Sequence, residues 1–260
     1  SMLLEGKNII VIGGSGGLGE AAVHLFIQQG ARVFATGYDT WEKAKDFGAN
    51  LTYATLDATR ESAVSLLIPM AEKAFGPIHG LYHIAGGSGR KMGDGPLHQL
   101  TTEGWDYTLD LNLRSVMLTN KTMIQYWLDN NLPGTILNMG SVLAFSPSAH
   151  YFASHAYAAA KAGIEGFSKS IAAFYASRQI RVNVLAPGLI ATAMSARAQV
   201  DSGIREFIKT KQPLNHGRIG KPEDCSGAAL FFMSDLSSFV TGEVLHIDGG
   251  WHLSDGQFIS

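Results

Sequence analysis

Tyr157 and Lys161 stand four residues apart in the run Ser154-His155-Ala156-Tyr157-Ala158-Ala159-Ala160-Lys161-Ala162-Gly163. The alanine-rich composition and the apolar recurrence Ile164, Phe167, Ile171 and Phe174 predict a helix from about Ser154 to Ser177. A spacing of four puts both side chains on one helix face, one turn apart. They open the apolar stripe, so that face looks into the protein. A free phenol titrates near pH ~10 and transfers protons poorly at neutrality. A neighbouring ammonium favours the phenolate and brings the hydroxyl toward a working range. The pair has the makings of an acid-base catalyst, although the same spacing occurs on many helices with no chemistry.

The chain ahead of this helix supplies elements that would hold a reagent beside it. Asn8-Ile9-Ile10-Val11-Ile12 is an apolar, β-branched run of the kind that forms a strand buried on both faces. It leads into Gly13-Gly14-Ser15-Gly16-Gly17-Leu18-Gly19 and then a helical pattern to Gln29. A strand, a glycine loop and a helix in that order suit phosphate binding, because bare backbone approaches the anion at the positive end of the helix. The glycines fit G-x-G-x-x-G on Gly14, Gly16 and Gly19 and G-x-x-x-G-x-G on Gly13, Gly17 and Gly19, and spacing does not choose between them. A second strand, Arg32 to Thr36, precedes Gly37-Tyr38-Asp39, where a dinucleotide's adenosine ribose would lie. Asp39 is a candidate partner for that ribose or a cap for a helix over Thr40 to Gly48. A third strand, Leu51 to Leu56, ends in Asp57-Ala58, where Asp57 suits an adenine edge or a helix cap.

Strand and helix alternate through the rest of the chain. A helix from Arg60 to Phe75 leads to a fourth strand, Ile78 to Ile84, ending in Ala85-Gly86-Gly87. Residues 87–96 are rich in glycine and read as a substrate lid or a surface excursion. Thr101 to Asn130 is a long helical pattern with Trp105, Leu109, Val116, Met123 and Trp127 on one stripe. Asn112 lies on that stripe, and a buried amide must brace backbone or hold water or another polar group. A fifth strand, Thr135 to Met139, is followed by Gly140-Ser141, so the Ser141 hydroxyl sits where ligands of open parallel sheets bind. A sixth strand, Ile180 to Leu185, runs out through Pro187-Gly188-Leu189-Ile190-Ala191-Thr192. Residues 193–215 are helical and could close over a substrate; a helix from Pro222 to Met233 and a strand from Val244 to Ile247 complete the chain. This alternation predicts a single domain over residues 1–260, an α/β fold with a Rossmann-like, doubly wound parallel sheet of about seven strands and helices on both faces.

Composition narrows the function classes. Of 260 residues, 46% are hydrophobic and 16% charged, which describes a soluble globular protein. The net charge of -2 offers nothing to nucleic acid or an anionic membrane. No apolar run reaches the ~20 residues of a membrane span, and the N-terminal stretch lacks the regions of a signal peptide. The single cysteine, Cys225, excludes an internal disulfide, falls in a helical pattern as a buried thiol and suits a reducing, cytoplasmic location. The nine histidines show no metal-ligand spacing, so no metal site is expected.

Taken in order, these motifs resemble the short-chain dehydrogenase/reductase family, and within it members like 3-oxoacyl-ACP reductase, over nearly the whole chain. The glycine loop resembles that family's T-G-x-x-x-G-x-G on Gly13, Gly17 and Gly19. Asp57, Ala85-Gly86, Asn112, Ser141, Tyr157, Lys161, Pro187-Gly188, Gly217 to Asp224, Ser238 to Gly242 and Asp248-Gly249-Gly250 fall at matching places. The resemblance implies an NAD(P)-dependent oxidoreductase exchanging a ketone and a secondary alcohol. Tyr157 would be its general acid-base. Lys161 would lower the Tyr157 pKa and hold the nicotinamide ribose, Ser141 would polarise the carbonyl, and Asn112 would hold a water that links Lys161 to solvent. Cofactor contacts are implied at Gly13, Ser15, Gly16, Gly17, Leu18, Gly19, Tyr38, Asp57, Ala58, Ala85, Gly86, Tyr157, Lys161, Pro187, Gly188, Ile190 and Thr192. A homotetramer built on the helices of Asn112 and Tyr157 is implied as well. The alternatives are an enoyl-type double-bond reductase and a dinucleotide-binding regulatory protein without chemistry.

Departures from the family pattern carry information. Ile12 replaces the usual Thr, and His83-Ile84 replace the Asn pair of N-N-A-G. His83 is expected to pack at the strand end rather than add a functional group. Neither the Arg of NADP-preferring members nor the Asp of NAD-preferring members is present near Gly16, Gly37 or Tyr38, and the small Thr36-Gly37 pair leans the cofactor from NAD to NADP. The segment between Ser141 and Tyr157 is a few residues longer than usual. With Leu143, Phe145, Tyr151, Phe152 and Met194 it suggests a moderately apolar substrate.

Overall fold

The computed structural model describes residues 1–257 and 259. Seven strands form one parallel sheet in the order β3-β2-β1-β4-β5-β6-β7. They are β1 (Asn8–Ile12), β2 (Arg32–Gly37), β3 (Leu51–Thr55), β4 (Gly80–His83), β5 (Gly134–Met139), β6 (Ile180–Pro187) and β7 (Val244–Ile247). The order runs outward from β1 in both directions, so the chain reverses between β1 and β4. That reversal opens a crevice beyond the carboxyl ends of the central strands.

The helices are α1 (Gly17–Gln28), α2 (Glu61–Val64), α3 (Leu67–Phe75), α4 (Thr102–Leu109), α5 (Ser115–Asp129), α6 (His155–Tyr175), α7 (Ala196–Val200), α8 (Ser202–Lys211), the single turn α9 (Leu214–Gly217) and α10 (Pro222–Met233). Alternation along β1 sends Ile9 and Val11 to a core shared with α1 and α10, and Ile10 and Ile12 to a core shared with α3, α5 and α6. Both faces of the sheet are therefore covered, which is why β1 is apolar at every position from Ile9 to Ile12. A smaller core of Val142, Ala198, Ile204, Ile208 and Trp251 gathers residues 193–215 over the carboxyl-end side, with Leu143, Tyr151 and Phe152 packed against it. Of the apolar residues expected to line a pocket, Phe145 and Met194 are the exposed ones. Cys225 is buried on α10. Among the described residues, no helix is long and apolar enough to cross a membrane.

Several elements differ from the sequence expectation. The helix expected over 40–48 is a run of 3-10 turns, Glu42–Asn50, entered through Trp41, so Asp39 is not its cap. The helix expected over 60–75 breaks between Val64 and Leu67. The long helix over 101–130 is interrupted by a π-turn, Asp110–Arg114; Trp105, expected on the apolar stripe, is 39% exposed, while Asn112 is buried as its place on that stripe implies. The loop after β4 is fastened rather than free: Asn112 bonds Gly87 at one end, and Asp94 bonds the start of α6 at the other.

Trp127 fills the space between α5 and the edge of β5. It is fully buried, and its indole N–H donates to the Ile78 carbonyl at 2.8 Å. Trp127→Ala removes this packing and should lower unfolding free energy by about 3–5 kcal/mol, read as a lower denaturant midpoint with an unchanged m-value.

Candidate active site

Tyr157 lies in the first turn of α6 and Lys161 one turn later, directly beyond the end of β5. Lys161 is 3% exposed, and its Nζ donates to the Met139 carbonyl at 2.9 Å. The same Nζ lies 5.6 Å from the centroid of the Tyr157 ring. Burial brings the Lys161 ammonium down to about 8. Burial also pushes the Tyr157 phenol up to about 12, against the opposing effect of the Ser141 hydroxyl beside it. The lysine was expected to draw the phenol's pKa down, and in this structure desolvation of the pair is the larger effect. Both groups are driven toward their neutral forms, so two pKa values that ordinarily lie close together move apart, the phenol to about 12 and the ammonium to about 8.

Ser141 is 6% exposed and does two things. Its Oγ accepts from the Leu143 N–H at 3.1 Å, capping the 3-10 turn Val142–Ala144, and its hydroxyl faces Tyr157. Asn112 is fully buried on the π-turn. Its Oδ1 accepts from Gly87 N at 2.9 Å, while its Nδ2 donates to Gly87 O at 2.8 Å and Thr108 O at 2.9 Å. The side chain therefore braces the backbone at Gly87 and Thr108. Gly86 lies between these groups: a Cβ there would stand 2.6 Å from Asn112 Oδ1 and 3.5 Å from Lys161 Nζ. Ser141, Tyr157, Lys161, Asn112 and the Ala85-Gly86 turn thus converge at the carboxyl ends of β4 and β5.

The glycine loop borders the same crevice. A Cβ on Gly19 would lie 2.0 Å from the Gly13 carbonyl, and one on Gly17 would lie 3.2 Å from Thr192 Cγ2. One on Gly14 would lie 2.6 Å from Ala35 Cβ, whereas one on Gly16 would meet nothing closer than 3.9 Å, so protein packing demands glycine at Gly13, Gly14, Gly17 and Gly19 but not at Gly16. α1 starts at Gly17 with no side chain capping it, and a bare backbone cradle at a helix N-terminus suits a phosphate. Leu18 packs against the α1 core. Opposite the loop, Pro187-Gly188 leaves β6, Ile190 bridges to Gly220, and Thr192 caps the turn that begins residues 193–215. The shape fits a dinucleotide lying from the glycine loop across to Thr192.

The adenosine end is less committed. Tyr38 is exposed after β2, with Asp57 and Tyr107 nearby. Although burial opposes it, hydrogen bonds from the Thr59 N–H and hydroxyl and the Arg60 guanidinium hold Asp57 below the usual carboxylate range. Asp57 therefore serves a turn, and Ala58 is a core residue whose side chain is buried. The space beside Gly37, expected to be open, holds two hydroxyls: a Cβ there would lie 2.4 Å from the Tyr53 oxygen and 2.6 Å from Ser15 Oγ.

The spacing argument missed several residues that hold this site. Gln212 is 2% exposed, and its Oε1 accepts from Leu189 N at 2.6 Å, fixing the segment after β6. Asp94 accepts from the amides of Ala156 and Tyr157. Both are polar residues in loops or at helix ends, and only their contacts across the fold distinguish them. His83 packs at its strand end, as expected, but also bonds. Its Nε2 lies 3.1 Å from Ala85 O and its Nδ1 2.7 Å from Thr119 Oγ1.

Comparison with known proteins agrees with this geometry. A family model described as enoyl-(acyl carrier protein) reductase matches residues 13–252. An uncharacterized oxidoreductase, C922.06, of Schizosaccharomyces pombe is 34% identical over 96% of this chain and 92% of its own. A 3-oxoacyl-[acyl-carrier-protein] reductase of Thermotoga maritima is 33% identical over 96% of this chain and 99% of its own. Among solved structures, a short-chain type dehydrogenase/reductase from Mycobacterium ulcerans superposes with a TM-score of 0.87 at 28% identity, covering 96% of this chain and 91% of that one. With a parallel sheet of this order, a glycine loop after β1 and relatives matched end to end, the chain belongs to the short-chain dehydrogenase/reductase family.

Proposed function

We propose that this protein is an NAD(P)-dependent oxidoreductase that interconverts a ketone and a secondary alcohol, with Tyr157 as the proton-transfer group. The observation that carries the proposal is the convergence of Tyr157, Ser141 and a buried Lys161 at the carboxyl ends of β4 and β5, across from the glycine cradle. The nicotinamide cofactor supplies or accepts the hydride when bound. The chain's own residues do the rest. Gly13, Gly17 and Gly19, with Ser15, Gly16 and Leu18, form the phosphate cradle; Ala85, Gly86, Pro187, Gly188, Ile190 and Thr192 border the nicotinamide end; Tyr38, Asp57 and Ala58 border the adenosine end. Ser141 donates to the substrate oxygen, and Tyr157 exchanges a proton with it. Lys161 places a positive charge beside the phenolate that forms, and Asn112 holds the Gly86-Gly87 backbone against Lys161.

The preferred cofactor in this reading is NADP. A carboxylate that would grip a free 2′-hydroxyl has no room at Gly37, where the Tyr53 and Ser15 hydroxyls stand, and neutral hydroxyls do not repel a 2′-phosphate. Fluorescence titration with NADPH and NADH in parallel should show the tighter binding for NADPH; tighter NADH binding would make Asp39 the ribose partner.

The family model's description and a Bacillus subtilis relative named a probable 2,4-dienoyl-CoA reductase favour a second reading, reduction of an activated double bond. The two separate on the product: a retained carbonyl still forms a hydrazone, and a secondary alcohol does not. The same proposal includes a homotetramer, and light scattering that returns one subunit's mass would remove it.

Tyr157→Phe keeps the ring and loses the proton. It should retain cofactor affinity and lose turnover by on the order of 10²–10⁴-fold in steady-state assays. In the direction of reduction the active form has Tyr157 protonated and Lys161 charged. Burial keeps the phenol protonated up to about 12, whereas Lys161 loses its charge above about 8. The reductive kcat should therefore be level at lower pH and fall with a one-proton slope as pH rises through about 8.

A further inference from the structure

We propose that Asp94 is a positioning residue for Tyr157, seating the first turn of α6 from a separate loop; this rests on the reading of Tyr157 as the proton-transfer group. The first amides of any helix lack intrahelical acceptors, and a side chain at the N-cap usually supplies one. The N-cap of α6 is Ser154, whose side chain makes no such bond. Asp94 takes its place. Its Oδ1 accepts from Ala156 N at 2.9 Å, and its Oδ2 accepts from Tyr157 N at 3.0 Å. These positions are 62 and 63 residues away in sequence, so the capping is tertiary. The carboxylate is 7% exposed, and it stands at the positive end of a 21-residue helix, where charge and hydrogen bonding act together.

Asp94 can act as a reference point because it is itself held. Its Oδ1 accepts from Gly95 N at 2.8 Å, and its N–H donates to Gly89 O at 3.0 Å. Thr101, the cap of α4, donates its N–H to Gly93 O at 3.2 Å. On the other side of Asp94, Gly95 O accepts from His155 N at 3.3 Å, and His155 Nδ1 accepts from Leu97 N at 3.1 Å. The far end of this loop is the Gly87 that Asn112 grips through both its N–H and its carbonyl. One loop therefore fixes two members of the site, Asn112 at its beginning and Tyr157 at its end.

The effect on chemistry follows from the shape of tyrosine. The phenol is a rigid arm, so a shift of the Tyr157 backbone carries through to the hydroxyl. Misplacement of a reacting group by about 1 Å can cost about 100-fold in rate. Asp94 makes no contact with the reacting atoms in this arrangement; it acts through the Tyr157 amide. Loss of Asp94 should thus appear in kcat, while binding of substrate and cofactor, which other elements govern, stays as it was.

The test compares the parent with Asp94→Ala and the near-isosteric Asp94→Asn, which keeps one oxygen acceptor. Steady-state kinetics on one carbonyl substrate, cofactor titration and amide hydrogen exchange over residues 155–161 are measured on each. Asp94→Ala should lower kcat by about tenfold or more, leave KM and cofactor Kd within about twofold, and speed exchange at Ala156 and Tyr157. Asp94→Asn should fall between the parent and Asp94→Ala, and it decides the matter if the alanine variant does not fold. Parental kcat in both variants, or a loss that appears in KM and cofactor Kd instead of kcat, would overturn the role of Asp94. A parent that turns over no carbonyl substrate removes the reading of Tyr157 beneath it, a result separate from an active parent with indifferent variants.

Discussion

The burial of one ammonium is the constraint around which this site is arranged. Lys161 is almost completely removed from water and, among the described residues, has a single hydrogen-bond acceptor, the Met139 carbonyl at the end of β5. An isolated cation in such a place is costly, and its lowered pKa expresses that cost. Its neighbours are consistent with this. His83, fully buried next to it, is held neutral: burial, then the nearby Lys161 charge, bring it down to about 3. A second positive charge there would expel the first. Gly86 offers Lys161 a bare backbone, and Asn112 turns its own amide onto Gly87 and Thr108 instead of competing for the lysine. The phenol and the ammonium thus face each other across a desolvated gap in which small changes in either proton's position have large electrostatic effects.

That gap exists because the sheet brings strand ends together. β4 and β5 are paired in register from Gly80–Thr135 to His83–Asn138, so the turns after both strands emerge side by side. α6 then lays Tyr157 and Lys161 across those turns. A buried polar ladder stands beneath them: Thr119 bonds His83, Asn120 and Asn138 exchange amide bonds at 3.0 and 2.8 Å, and Asn138 donates to Ser168 on α6 at 3.0 Å. Because every member has partners, the ladder ties α5, β5 and α6 into a single arrangement rather than leaving them to slide as apolar surfaces can.

Much of this was legible in the chain. The strands Asn8–Ile12 and Val244–Ile247 and the helix Pro222–Met233 follow the expected bounds, because an apolar run or a proline at a helix start is a local signal. Tyr157, Lys161 and Ser141 were found because a spacing of four and a position after a strand are also local. The π-turn at Asp110–Arg114 was not legible, since it resembles ordinary helix in sequence; the residue that departs from the expected stripe is Trp105, which is exposed. Asp94 carried no signal either: its partners lie 62 and 63 residues downstream, and an Asp before Gly-Pro reads as a turn. The direction of the Tyr157 shift was misread for a related reason. Charge proximity follows from spacing, whereas desolvation depends on how the whole fold closes over the pair.

The two departures from the family pattern in the central strands can be understood together. Ile12 brings an apolar side chain to the strand leading into the glycine loop, where it is 1% exposed in the core shared with α3 and α5. Its backbone carbonyl accepts from both Ile84 N at 2.8 Å and Ala85 N at 3.0 Å, so the loop is anchored to the β4 turn through main chain. His83 anchors the same turn from the other side. A carbonyl can only accept, so the ring nitrogen at Ala85 O carries the proton, and Nδ1 accepts from the Thr119 hydroxyl. The ring therefore spans from the Ala85 turn to α5 with a fixed tautomer and no charge. Ala85 is pinned between the Ile12 carbonyl and the His83 ring, directly beside Gly86 and Lys161. In this chain the glycine loop and the buried lysine are joined through backbone and one neutral imidazole, and that joint fixes how far Gly13 stands from Gly86 and Lys161.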